Sequence, residues 1–337
     1  MSCLPIFNAA EIFSYFTFPT TFLANSLLIY LTICHTKKIY KTYKILILIF
    51  VTYLMIFSLV EFIITPFNHS YNYGYVFFTL HEGSEDHLNT QRMLMAVYIC
   101  FFSAVNSFFC VLFIYRYWVL INSKYIQLFK GRNIQIWILY SLLCGVSSIV
   151  ILYFFCVPDD FTNAMFRDIL LEKYGKTPQQ VAHFVQVVYQ PCDNRLCIRW
   201  KGISSVLFTT LIMSISGSII VYCAYNMHKK MNSMLESCSK TNQRLQKQFF
   251  RALTLQATAP FFTFFLPVSI IFVLIFTGLE YDFPTGIVFS SFGIYPAIDS
   301  IILMTVVQEY RKAIKNLICQ KQKDEFRGVS TIVESRF

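Results

Sequence analysis

Seven stretches of the chain are almost purely apolar: Ile12–Cys34, Ile45–Phe67, Met93–Tyr115, Ile134–Val157, Ile203–Asn226, Ala252–Leu279 and Thr285–Val307. Each holds about twenty residues or more, enough to cross a ~30 Å hydrocarbon core at ~1.5 Å per helical residue. Runs such as Ile45-Leu-Ile-Leu-Ile-Phe-Val51 do not alternate apolar with polar, so the pattern is that of helices rather than barrel strands. Lipid offers no partner to a free N–H or C=O, which makes helices the default. The pattern predicts an all-α membrane protein, a bundle of seven spans.

The polar segments between the spans set a direction. With the C-terminal side taken as inside, 21 of the 28 Lys and Arg fall in segments 35–44, 116–133, 227–251 and 308–337. The acids lean the other way, 11 of 18 lying outside. Positive charge stays on the cytosolic side, so the N-terminus is predicted outside and the C-terminus inside. The net charge of +10 then belongs to a face beside anionic lipid, not to nucleic acid. Met1–Glu11 has no positively charged start, so the first span is expected to insert uncleaved. After the seventh span, apolar residues at 310, 313, 314, 317 and 318 form one stripe while Arg311, Lys312 and Lys315 fall off it. This predicts an amphipathic helix over 308–318 lying in the membrane interface. Residues 1–318 are read as one membrane domain and 319–337 as a polar cytosolic tail.

Composition agrees: 56% of residues are hydrophobic, 18% aromatic and only 14% charged. It also removes chemistries. All six His lie outside the predicted spans, so no intramembrane metal or haem ligand set is expected. The seventh span has no Lys for a retinal Schiff base, and there is no P-loop, HExxH or GxSxG motif. No catalytic residue, metal or cofactor is expected. His81 to His87, with its acids, reads as a solvated loop.

The inner ends of the spans carry the sharpest features. The third span closes on Phe113-Ile-Tyr-Arg116-Tyr117-Trp118. Arg116 either snorkels to the headgroups or is a switch held in one state and released toward a partner in another. Arg244, Lys247 and Arg251 fall at i, i+3 and i+7 before the sixth span, on one helical face. Their alternatives are a partner-facing stripe and simple anchoring. Pro260 and Pro267 bend the sixth span. Asp299, in Tyr295-Pro296-Ala-Ile-Asp299, is expected to face the bundle interior. Cys319 is a palmitoylation candidate.

On the outer side, Glu61 lies in the outer half of the second span, a candidate for a ligand contact or a structural hydrogen bond. Asn106, in the third span, is a second inward polar group and ligand-pocket candidate. Cys192 and Cys197 are disulfide candidates, with pairing to Cys3 or Cys156 also open. Asn68-His-Ser70 is a glycosylation sequon. The long segment 158–202 is expected to be locally helical over 168–174 and 179–189 and to lid an outer cavity.

Several segments together carry a resemblance. Asn25-Ser-Leu-Leu-Ile-Tyr-Leu with Thr42-Tyr43-Lys44, Phe57-Ser-Leu-Val-Glu61, Phe113-Ile-Tyr-Arg-Tyr117, Arg167-Asp168 to Glu172-Lys-Tyr174, Leu245 to Leu253 with Gln256 and Pro260, and Tyr295-Pro-Ala-Ile-Asp299 with Tyr310-Arg311 stand in order on a seven-span chain. In this the chain resembles the nematode seven-transmembrane chemoreceptors of the Str superfamily, serpentine receptor class r, with the Srj class as near kin. The resemblance implies a non-enzymatic G-protein-coupled receptor for odorants or other environmental chemicals, in the plasma membrane of sensory cilia. It implies that Arg116 and Tyr117 belong to the G-protein switch. Lys247 and Arg251, with Arg244 beside them, would line the G-protein face, and Tyr295, Pro296 and Asp299 the seventh-span switch. The partners would be a heterotrimeric G protein, a small-molecule cue and the bilayer. Ser300 departs from the family, which usually has Pro there. Against rhodopsin-like receptors, Tyr115 replaces the acid before the Arg and Gln91 stands near where a disulfide Cys would be. The rival class is a ligand-gated channel or transporter, against which the scarcity of intramembrane charge and the absence of an evident repeat both count.

Overall fold

The computed structural model describes residues 2–36, 39–81, 84–192, 195–235, 239–277 and 281–319. Among the described residues, six helices are long and apolar enough to cross a membrane: Leu4–His35, Lys41–Ile64, Glu85–Leu120, Gly131–Phe155, Trp200–Met231 and Gly286–Val306. Their α-helical parts are α1 (Leu4–Tyr30), α2 (Lys41–Ile64), α3 (Glu85–Leu120), α4 (Ile134–Phe155), α6 (Trp200–Leu235), α9 (Gly286–Ser291) and α10 (Tyr295–Val306), with α5 (Asp160–Tyr174) in a connection. The remaining long helical stretch runs as α7 (Lys240–Pro260), a π-helical turn over Phe261–Phe265, and α8 (Leu266–Phe276). The turn lies between Pro260 and Pro267, and the Leu266 N–H reaches back five residues to the Phe261 carbonyl. Proline removes ladder donors, and the helix absorbs the loss as a local π bulge. Residues 308–319 are also helical, with Tyr310 and Ala313 buried. The tail beyond Cys319 is outside the described residues.

Helix α3 is the axis of the bundle, packed against α2, α4 and α6. Its first turn carries Glu85 and Asp86, favourable at the positive end of a helix. Exposed apolar residues line α4 at Ile136, Leu139, Leu143, Val146, Val150 and Phe154. That spacing makes one outward apolar face, as contact with lipid requires.

One end of the bundle departs from the all-helical expectation. Four antiparallel strands, β1 (Phe67–Tyr71), β2 (Gly74–Phe78), β3 (His183–Val187) and β6 (Asp282–Phe283), form a sheet in the order β3-β2-β1-β6. A hairpin of β4 (Tyr189–Cys192) and β5 (Arg195–Ile198) stands beside it. The second span was expected to continue to Phe67. It stops at Ile64, where Thr65 turns left-handed at φ 40° and Pro66 follows with no N–H to continue the ladder. The long connection before α6 is helical over α5, held by a capping box between Asp159 and Thr162 and closed by Gly175 at φ 71°. The helix expected over 179–189 is instead mostly strand. His183–Val187 is fully buried and paired with β2 in register from Gly74↔Val187 to Phe78↔His183.

Candidate functional site

At the bundle end opposite the sheet, Arg116 of α3 is only 3% exposed. Its guanidinium carbon lies 3.4 Å from the ring centroid of Tyr43 on α2 and 3.8 Å from that of Phe249 on α7. Nη1 donates to Gln246 Oε1 at 3.1 Å. The cation is clasped between two aromatic faces and one amide, so it ties three helices together. Desolvated cation–π contacts of this kind are worth about 2 kcal/mol each. No carboxylate pairs with Arg116 among the described residues, and its Nε and Nη2 are buried without partners. The preceding Tyr115 contributes packing instead of charge: its ring stacks on Tyr43 at 5.7 Å. Tyr117 is half-buried, edge-on to Tyr222 at 6.0 Å. Arg244, Lys247 and Arg251 are exposed on the outer face of α7, while Leu245, Phe249 and Ala252 are buried on the other.

A second polar chain joins α7 to α10. Tyr295 and Pro296 are buried in the first turn of α10, and Asp299 follows one turn later. Tyr295 donates its hydroxyl to Asp299 Oδ1 at 3.2 Å, and Gln256 Nε2 donates to the Asp299 carbonyl at 3.2 Å. Ser300, where the resemblance leads one to expect Pro, donates to Asn25 Oδ1 of α1. Nearer the Arg116 end, the Gln308 N–H donates to Gln248 Oε1 at 2.9 Å, and Thr32 shares a 2.9 Å hydrogen bond with Tyr310.

At the sheet end, Glu61 is 7% exposed and faces the Phe292–Ile294 turn between α9 and α10. Phe292 stacks on Tyr295 at 5.0 Å and meets Phe57 edge-on at 5.8 Å, so this turn leads directly into the Tyr295–Asp299 chain. Asn106 does not join Glu61: it is half-buried, donates to the Phe102 carbonyl of its own helix at 2.8 Å, and does not line the crevice beside Glu61.

A clasp that the sequence did not single out closes the same end. His69 is fully buried in β1; Nδ1 lies 2.8 Å from the Tyr174 hydroxyl of α5 and Nε2 2.7 Å from Asp282 Oδ1 of β6. Asp282 also pairs with Lys173. Burial pushes the imidazole below its usual range despite the opposing carboxylate. For Asp282 burial acts upward, but Lys173 and His69 outweigh it and hold the carboxyl below the usual range.

Two further sequence candidates lie in the strands and the hairpin beside them. Asn68 is 2% exposed in β1, between β2 and β6. Cys192 and Cys197 lie on the two strands of the β4–β5 hairpin, Cys192 opposite Arg195 and Cys197 opposite Gln190. Cys319 is exposed at the end of the 308–319 helix. Tyr43, Gln246, Phe249, Gln256 and Asn25 all lie in segments that carried the resemblance, yet only the fold identifies their partners.

The profile of the serpentine type seven-transmembrane G-protein-coupled chemoreceptor group Str matches residues 10–315. The G-protein coupled receptor str-33 of Caenorhabditis elegans is 35% identical over 305 residues, covering 90% of this chain and 88% of that protein. The serpentine receptor class r-10 of the same organism is 28% identical over 321 residues, covering 92% and 91%. The G-protein coupled receptor str-217, also from that organism, is 22% identical over 304 residues.

Proposed function

The chain belongs to the Str family of serpentine seven-transmembrane G-protein-coupled chemoreceptors, and from that premise we propose how it works. It sits in the plasma membrane of sensory cilia with the sheet end outside and the Arg116 end in the cytosol. It binds a small environmental molecule at the outer end and activates a heterotrimeric G protein at the inner one. The observation that carries this reading is the clasp on Arg116. One buried cation holds α2, α3 and α7 together while two of its donors stay unpaired. A buried charge with unspent donors is a poor permanent fixture. It suits a closed state that opens when the inner end of α7 leaves and Arg116 finds acceptors on a partner.

Ligand binding shifts this equilibrium only by its preference for the open state. The route runs from Glu61 through the Phe292–Ile294 turn to Tyr295 and Asp299, and from Asp299 across to Gln256 of α7. Tyr117, Arg244, Lys247 and Arg251 flank the cleft that opens, as a basic face for the G protein. The helix over 308–319 lies in the inner headgroup layer, with Cys319 placed for acylation.

The test is G-protein dissociation in cells with matched surface expression. Arg116→Ala is expected to abolish ligand-driven dissociation. Retained signalling at equal surface level would remove Arg116 from the switch. A ligand-evoked current without dissociation would favour the channel reading instead.

A further inference from the structure

Where α1, the end of α2 and α9 meet, a crevice opens whose walls include Phe7, Glu11, Glu61, Thr65, Phe67 and Ser290. Two carboxylates line it, and none of its lining residues is Lys, Arg or His. Glu61 is more than nine-tenths buried, and no described residue hydrogen-bonds to or pairs with its carboxylate. Thr65 Oγ1, on the same wall, is buried and equally unpartnered. Buried polar groups in native folds find partners almost without exception, so two orphans on one wall point to something that completes them. From behind, the residue against Glu61 is Gly293, which offers no side-chain donor.

The unpaired groups specify the chemistry. Glu61 and Glu11 can only accept hydrogen bonds when ionised, and a cation placed between two carboxyl groups favours that ionised form where an anion opposes it. Phe7 and Phe67 meet edge-to-face at 5.4 Å and give the crevice an apolar flank. Carboxylate oxygens beside aromatic surface hold an ammonium group well: its N–H bonds are charge-assisted and its alkyl portion packs on the rings.

We propose that this crevice binds a small protonated amine, with the ammonium held by Glu61 and Glu11 and the alkyl portion against Phe7 and Phe67. The proposal rests on Glu61 belonging to the ligand site and goes beyond it by naming the ligand class. An occupant bonded to Glu61 acts on the residue that faces Gly293, in the turn from which the Tyr295–Asp299 chain departs.

The experiment uses the full-length receptor in lipid nanodiscs. Straight-chain amines from methylamine to hexylamine are each compared with the alcohol and the carboxylate of the same length at neutral pH. The thermal unfolding midpoint reads binding without requiring coupling. At least one amine should raise the midpoint, its alcohol less and its carboxylate not at all. Glu61→Gln should weaken that amine about tenfold or more, the loss of a charge-assisted bond. Glu11→Gln, at a half-exposed position, should weaken it by a smaller factor and serves if Glu61→Gln does not fold. No stabilisation by any amine, or equal stabilisation by alcohols and carboxylates, would overturn the proposal. So would equal stabilisation by sodium chloride, which would mark a site for a metal ion. Coupling is read separately from the basal signalling of Gln246→Ala, so a failed amine site and a failed receptor reading give different results.

Discussion

The carboxylate of Glu61 is seated against the bare backbone of Gly293: a methyl group built at residue 293 would lie 2.5 Å from Oε1 and 2.9 Å from Oε2. The second and seventh spans approach closely here because one contributes an acid and the other contributes no side chain. Gly293→Ala should therefore push the carboxylate aside, lowering stability by about 1–3 kcal/mol as overpacked sites do. Glu61→Ala should remove the obstacle, so the double variant should be more stable than the two single losses combined. Thermal unfolding of the four proteins in detergent measures the coupling. Additive losses would show that the two residues do not press on each other.

Among the described residues Gln246 is the one hydrogen-bond partner of Arg116, and it lies on α7, the helix proposed to move. Gln246→Ala removes a hydrogen bond to a charged group, worth ~1.5–3 kcal/mol, from the closed state alone. The closed-to-open ratio should fall about tenfold or more. Basal G-protein dissociation without ligand should rise accordingly. Basal signalling unchanged at equal surface expression would mean that the Gln246 contact does not hold the closed state.

His69 makes the sheet end sensitive to acid. Its imidazole is depressed in the folded chain, so the unfolded chain takes up the proton first as pH falls. The stability it contributes is complete above the ordinary imidazole range, near 6.5, and declines as pH drops through it toward the lower folded value. Asp282 is also depressed, and its contribution is lost further down, as pH falls through its own folded value below the usual carboxylate range. Hydrogen exchange in β1 and β6 should accelerate between pH of about 6.5 and the carboxylate range. In His69→Gln that segment of the pH profile should flatten. A wild-type sheet whose exchange, corrected for intrinsic rates, does not change over this range would show that His69 does not control the clasp.

Asn68 is a sequon by sequence and a buried strand residue by structure. Treatment with a glycosidase that removes N-linked sugars should leave the mobility of the surface-expressed receptor unchanged. Asn68→Gln, one methylene larger in a filled site, should lower stability by about 1–3 kcal/mol. A mobility shift abolished by this substitution would mean that β1 is not formed as described.

Much of this protein is written locally in its chain. A span is recognisable because each residue must be apolar regardless of its neighbours in space, and the positive segments between spans need no fold to be counted. Pro260 and Pro267 mark the bend of the sixth span for the same reason: a missing N–H is a property of the residue. The prolines do not reveal that the bend is a π turn over Phe261–Phe265, because that depends on which carbonyl the Leu266 N–H reaches.

What only tertiary structure decided is pairing. Arg116 could be identified as a charge at a helix end, but Tyr43, Phe249 and Gln246 meet it from far along the chain. The strands escaped sequence reading because β1 and β3 are buried on both faces and show no alternation, and their partners lie in separate connections. The same limit hid the role of Gly293, whose missing side chain matters only because Glu61 stands opposite. Hydrophobicity and charge act on each residue through its solvent and can be read in order. Hydrogen bonds and close contacts act between residues, and the chain order does not say which ones meet.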